Sequence, residues 1–154
     1  MKVSVVVIGR PRHAGLADAI QDYETRAARY WPLEVAEVRE EPGRGLTPEV
    51  VRDREATRLA ERLPSDALVV ACDPGGVVME SEPFARWLQQ CRDEARSVAF
   101  VIGGAHGLGP AIRGRAARRL SLAPWTLPHE VARLVLAEQL YRAGTIMRGE
   151  PYHK

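Results

Sequence analysis

The chain has 154 residues, of which 45% are hydrophobic and 27% charged, with a formal net charge of +2. That length and balance suit one globular domain over residues 1–154 with a single core, because two domains of half the size would each be marginal. No apolar run approaches the ~20 residues of a membrane span, and Cys72 and Cys91 lack the CxxC spacing of a metal framework, so a soluble protein of a reducing cytoplasm is expected, with no membrane and no metal.

The first nine residues end too soon for a signal peptide and lack a small-residue cleavage site. Residues 3–8 form a continuous β-branched run, the pattern of a buried parallel strand. Leu16, Ile20, Tyr23, Ala27 and Tyr30 then recur at helical spacing. Leu33, Val35 and Val38 suggest a short half-buried strand. The stretch from Arg39 to Leu46, with Pro42, Gly43 and Gly45, reads as a loop.

Thr47-Pro48 has the form of an N-cap and first helical residue, and the helix should run to about Leu63, where Pro64 stops it. Residues 67–72 make the next buried strand, ended by Asp73-Pro74-Gly75-Gly76. Ser81 is placed to cap a helix whose inner stripe is Phe84, Trp87, Leu88 and Cys91. Val98 to Ile102 is a further strand. A short helix near 109–116 and a short strand near 118–122 lead to Pro124-Trp125-Thr126-Leu127-Pro128, and a last helix covers about 129–147. Strands separated by helices imply an α/β fold with a mostly parallel sheet flanked by helices. Ligands of such sheets bind beyond the carboxyl ends of the strands. Three strand-following loops, at 74–76, 103–107 and 124–128, should therefore meet on one edge.

Gly103-Gly104-Ala105-His106-Gly107-Leu108-Gly109 carries four glycines in seven residues. Glycine lets a backbone approach a ligand with no Cβ in the way, although a tight strand-to-helix turn needs the same residues. No GK[ST] follows and the spacing is not GxGxxG, which argues against ATP hydrolysis and against a nicotinamide dehydrogenase. The segment from Leu120 to Glu130 is mostly apolar yet broken by two prolines, so its backbone groups are not all absorbed by helix or sheet. Such a loop suits a flat heterocycle such as adenine, and equally a cover over the core.

On the last helix Val131, Leu134, Val135 and Glu138 share one face, with Arg142 one turn beyond Glu138 in the favourable order for an ion pair. Leu136, Leu140, Ala143 and Met147 make the other sides apolar too. Burial by more than one partner follows, and a second subunit is a natural candidate. Residues 103–154 hold eight Lys/Arg against three Asp/Glu, a basic third that suits an anionic partner such as RNA. Arg113, Arg115, Arg118 and Arg119 can be a solvated face or a set of phosphate contacts. The tail Tyr152-His153-Lys154 reads by composition as a frayed end whose removal costs little core. The same three residues can also stack on a base, accept a proton and bind phosphate.

Ile102-Gly103-Gly104, Thr126-Leu127-Pro128-His129, Leu140-Tyr141-Arg142-Ala143 and Pro151-Tyr152-His153, in this order and spacing, resemble the ribosomal large subunit methyltransferase H family of the SPOUT superfamily. The resemblance covers the whole chain. It implies a SPOUT-type fold with a C-terminal trefoil knot, S-adenosylmethionine as cofactor, a homodimer that completes the site, and methylation of N3 of a pseudouridine in 23S rRNA, free or in the assembled ribosome. Carried over by motif, Ala71, Cys72, Gly103, Gly104, Leu122, Ala123, Pro124, Trp125, Thr126 and Leu127 would line the cofactor. His129, Arg142, Tyr152, His153 and Lys154 would face the RNA, with His153, Arg142 and Tyr152 as the catalytic candidates. His153 would take the N3 proton and Arg142 would stabilise the developing negative charge.

The chain departs from the family at Ala71, where leucine is common, and at Ala123-Pro124-Trp125, where a small or hydroxyl-bearing residue is usual. Pro124 has no N–H to give to adenine. The alternatives are a SPOUT enzyme for another RNA position and a non-catalytic RNA-binding protein whose glycine loop is only a turn.

Overall fold

The computed structural model describes residues 1–153; the side chain of His153 and all of Lys154 lie outside the described residues. Its elements are β1 (Val3–Ile8), α1 (Ala14–Ala27), β2 (Leu33–Val38), α2 (Pro48–Arg62), β3 (Leu68–Val78), α3 (Ser81–Asp93), β4 (Val98–Ile102), α4 (Pro110–Arg115), β5 (Arg118–Ser121) and α5 (His129–Met147), followed by a 3-10 turn at Pro151–His153. The strand order is β2-β1-β4-β3-β5 and every adjacent pair is parallel. β1 and β4 lie inside the sheet and are buried along their whole length, which is why both are unbroken apolar runs rather than alternating ones.

Alternate residues of β1 serve two cores. Val3, Val5 and Val7 join Trp31, Phe84, Leu88, Phe100, Leu136 and Leu140 under α1, α3 and α5. Val6 and Ile8 join Leu59, Val101 and Ile112 under α2 and α4. The cap of α2 is as expected, with Thr47 Oγ1 accepting the N–H of Val50 at 3.4 Å. Among the described residues no helix is long and apolar enough to cross a membrane.

Two local expectations are corrected. β3 does not end at Asp73 but runs on to Val78, with a register shift against β5 between Cys72 and Val77. Gly76 is what lets the two strands close there, since a Cβ would stand 2.7 Å from the Arg119 backbone. Ser81 is the first residue of α3 and not its cap; Glu80 holds that position, and the Ser81 hydroxyl bonds Gln139 Oε1 of α5 at 2.7 Å.

The apolar sides of α5 are covered largely within the same chain, by α1, α3 and the sheet. Leu140 is wholly buried, and its carbonyl accepts the Trp31 indole N–H at 2.9 Å. Arg133, 6% exposed, ties α5 to Glu24 of α1 at 2.7 Å and to Glu37 of β2 at 2.8 Å. At Gly144 a Cβ would lie 2.3 Å from Tyr30 Cγ. Gly144→Ala should therefore cost about 1–3 kcal/mol by overpacking, read as a lower urea midpoint at unchanged slope.

Candidate active site

The middle of β3 and the carboxyl ends of β4 and β5 open into one cavity of about 470 Å³; residues 74–76, expected as a loop, are part of the strand. The cavity walls come from Cys72, Asp73 and Pro74 of β3, the loop at 103–108 after β4, Arg113 of α4, Leu122, Ala123, Trp125, Thr126, Leu127 and Pro128 after β5, and His129 and Ala132 at the start of α5. The size is that of a small-molecule site, and the lining is mainly apolar with a few polar groups.

The glycine loop is both a tight turn and a cavity wall. Gly107 donates to the Gly104 carbonyl at 3.0 Å, and Gly107 takes a positive φ of 76°. Gly103 and Gly104 are needed for space instead. A Cβ at Gly103 would meet the Gly107 carbonyl oxygen at 2.6 Å, and one at Gly104 would meet Glu55 Oε2 at 2.6 Å. Two residues assigned to the cofactor by motif do not line the cavity: Ala71 is fully buried in the core beneath α2 and α4, and Pro124 is exposed outside the lining. Trp125 lines the cavity while remaining 77% exposed. The Cys72 thiol is pushed up to about 12 by burial, so it is held neutral and is a poor nucleophile.

Asp73 organises the far wall. Its Oδ1 accepts the Gly75 N–H at 2.9 Å, and its Oδ2 meets Arg113 and Arg119, each at 3.1 Å. Burial raises the carboxyl, but the Gly75 N–H and the two guanidinium groups outweigh it, and the balance lies below the ordinary aspartate value. A folded pKa below the unfolded one contributes stability above the unfolded value, lost as pH falls through the folded one. Asp73→Asn should thus cost about 1.5–3 kcal/mol at pH 7, and the gap to wild type should close only as pH falls below the ordinary aspartate range in acid titrations of stability. Of the other arginines in the cluster, Arg118 stacks over Trp87 at 4.9 Å and Arg115 bonds the Ala60 carbonyl at 3.3 Å.

The groups expected to face RNA form a second constellation. Glu138 Oε1 accepts from Arg142 Nε at 2.9 Å and from the Tyr152 hydroxyl at 3.1 Å. The Arg142 guanidinium sits 4.9 Å from the Tyr152 ring, which packs on Tyr141 at 4.6 Å between centroids. The Tyr23 and Tyr152 hydroxyls are 3.3 Å apart. Arg142 is held above its usual value first by the Glu138 hydrogen bond. Tyr152 is raised by burial and then by its bonds to Tyr23 and Glu138, which keeps it a neutral phenol. The last residues are therefore not all a loose end; Tyr152 is packed.

The structure does not bring the two constellations together within the chain. His129 is in the cavity wall, and Arg142 is 13 residues further along the same helix, about 20 Å at 1.5 Å per residue. Sequence reasoning passed over Glu55, Glu40, Asp73 and Arg133. Glu55 had a signal, since Val51, Glu55 and Leu59 repeat at helical spacing and only one of them is charged.

Comparison with known proteins agrees with the architecture. The family model described as predicted SPOUT methyltransferase matches residues 1–153. A protein of Gemmatimonas aurantiaca named ribosomal RNA large subunit methyltransferase H is 77% identical over 154 residues, covering 100% of both chains. One of Geobacter metallireducens with the same name is 41% identical over 99% of each. The solved structure of a probable methyltransferase from Bordetella pertussis Tohama I superposes with a TM-score of 0.57 at 21% identity, covering 93% of this chain and 94% of that one, a likeness of fold. The chain is thus a member of the SPOUT methyltransferase family, within the ribosomal RNA large subunit methyltransferase H branch.

Proposed function

We propose that the protein transfers the methyl group of S-adenosylmethionine to N3 of a pseudouridine in 23S rRNA, acting as a homodimer. The observation that supports this reading is the meeting of two strand-following loops and the middle of β3 around one mainly apolar cavity in a methyltransferase family member. Gly103 and Gly104 both line the cavity, and a wall of backbone without side chains suits a ligand that lies close against it. The relatives' shared name supports ribosomal RNA as the substrate, and the ribosome places the work in the cytoplasm. The C-terminal trefoil knot belongs to the same reading.

When bound, the cofactor supplies an electrophilic methyl group. The chain's own residues orient the acceptor, so much of the rate comes from positioning. Arg142, kept charged by Glu138, is suited to stabilising negative charge on a base as it loses a proton. Tyr152, kept neutral, is suited to stacking rather than to taking that proton, which leaves the role to His153, outside the described residues. Lys154, also outside them, would add a phosphate contact.

The ~20 Å between His129 and Arg142 is the reason for the dimer: the constellation of one protomer must meet the cavity of its partner. The face of α5 that carries Val131, Leu134 and Val135 stays half-buried and is the proposed contact. Because Leu140 belongs to the protomer core, the variant to test is Leu134→Asp. It should dissociate the dimer in sedimentation and abolish methyl transfer. A wild-type protein that sediments as a monomer at micromolar concentration would remove the shared site.

A further inference from the structure

The proposed chemistry makes no use of Tyr23, yet its hydroxyl stands at the start of a chain of hydrogen bonds that leads to Arg142. Tyr23 and Tyr30 of α1 both meet the ring of Tyr141 on α5, at 6.2 and 5.8 Å between centroids. Phenylalanine would serve that packing equally well, so the hydroxyls are what tyrosine adds. The Tyr30 hydroxyl goes to Glu150. The Tyr23 hydroxyl lies 3.3 Å from that of Tyr152.

The direction of that last bond follows from proton supply. A phenol has one proton to give, and Tyr152 gives its own to Glu138 Oε1, a carboxylate oxygen that only accepts. Tyr23 is therefore the donor to Tyr152. The bonds run one way, from Tyr23 through Tyr152 to Glu138, whose Oε1 also holds Arg142 Nε at 2.9 Å. Each bond in such a chain polarises the next. The proton received from Tyr23 makes the Tyr152 hydroxyl a stronger donor to an oxygen it shares with a guanidinium.

Placement points the same way. The other ring and polar contacts of Tyr152 among the described residues, to Glu138, Tyr141 and Arg142, all come from α5. Tyr23 fixes the terminal turn from a different helix. Its own ring is braced, because Arg26 sits 5.5 Å from it and 5.8 Å from the Tyr141 ring while paired with Asp22 at 2.9 Å. Without the Tyr23 hydroxyl, Tyr152 keeps only its shared bond to Glu138, and the ring beneath the Arg142 guanidinium gains room to turn.

We propose that Tyr23 is a positioning residue for methyl transfer, its hydroxyl acting through Tyr152 to set the placement of the Arg142 guanidinium. This assignment rests on the reading of Arg142 and Tyr152 as groups that act on the RNA base.

A double-mutant cycle of Tyr23→Phe and Tyr152→Phe tests it, read on single-turnover methyl transfer to ribosomes, on S-adenosylmethionine affinity by calorimetry and on the urea midpoint. Tyr23→Phe keeps the ring and loses the hydroxyl. It should lower turnover about threefold to tenfold, the range for one neutral hydrogen bond, with cofactor affinity unchanged. In a Tyr152→Phe background no hydroxyl remains to receive the bond. Tyr23→Phe should then have no further effect on turnover, and the urea midpoints of the four proteins should be non-additive in the same sense. Wild-type turnover by Tyr23→Phe would overturn the assignment, as would an equal drop in both backgrounds or additive urea midpoints. A loss of turnover matched by weaker cofactor binding would overturn it too, by reducing the hydroxyl to general support of the fold. A wild type that methylates no ribosomal RNA overturns the functional reading and this assignment with it; an active wild type with an additive cycle overturns the assignment alone.

Discussion

Gly104→Val should weaken S-adenosylmethionine binding by about a hundredfold, at the upper end of the ~1–3 kcal/mol of an overpacking penalty, in a protein that still folds. The cause is space and not backbone strain, because the only positive φ in this loop is at Gly107. A Cβ at 104 would meet Glu55 Oε2 at 2.6 Å and Ile8 Cγ2 at 3.1 Å, and relieving those contacts must shift the cavity wall that residue 104 forms. Gly104→Ala should be milder for the same reason. Gly103 is a poorer choice, since its Cβ would strike the Gly107 backbone and distort the whole turn. RNA affinity, set by groups elsewhere, should change little. Unchanged cofactor affinity in folded Gly104→Val, measured by calorimetry, would reduce the loop to a strand-to-helix turn.

Removing Tyr152, His153 and Lys154 should lower methyl transfer at least a hundredfold, the scale of losing a general acid or base, while leaving cofactor affinity intact. The sequence reading expected almost no effect on stability. The packing of Tyr152 on Tyr141 and its hydroxyl bond to Glu138 change that expectation to a loss of about 1–2 kcal/mol. Truncation also strips the ring beneath the Arg142 guanidinium, so part of the lost rate reflects a less ordered Arg142. His153→Ala separates the two effects. It should lower turnover more than cofactor affinity, with partial rescue at higher pH if proton removal is what was lost. A truncated enzyme that methylates ribosomes at the wild-type rate would return the tail to a frayed end.

The strands and helices were legible wherever burial imposed a period. β1 and β4 are buried on both faces and read as unbroken apolar runs, and α5 was bounded correctly at both ends because Pro128 opens it and Gly149 follows it. Misreadings occurred where long-range pairing overrode local chemistry. Asp73-Pro74-Gly75-Gly76 has every mark of a strand end, yet pairing with β5 carries β3 through it. Ser81 has the chemistry of a cap, but Gln139, 58 residues away, takes its hydroxyl. Periodicity reports that α5 is buried on several sides and does not say by which chain; most of the cover is α1, α3 and the sheet.

At the candidate site, the loops at 103–107 and 124–128 were legible because glycine and proline punctuate them, whereas 74–76 carries the same residues within a strand. The distance between His129 and Arg142 follows from their places on one helix, and it is the reason the proposed site includes a second chain. Glu55 was missed because a single glutamate on a helix is ordinarily a solvated one. Only the packing of α2 against the loop at Gly104 shows that its second oxygen is buried without a donor.

The central claim is methyl transfer to one position of 23S rRNA, and the most direct measurement supplies purified protein and methyl-labelled S-adenosylmethionine to ribosomes from a strain lacking this enzyme. The account predicts about one methyl group per large subunit, mapped by mass spectrometry to N3 of a single pseudouridine, and no incorporation with Arg142→Ala. Folded, dimeric protein that binds S-adenosylmethionine yet labels no ribosomal RNA, or labels a different nucleotide, would contradict it.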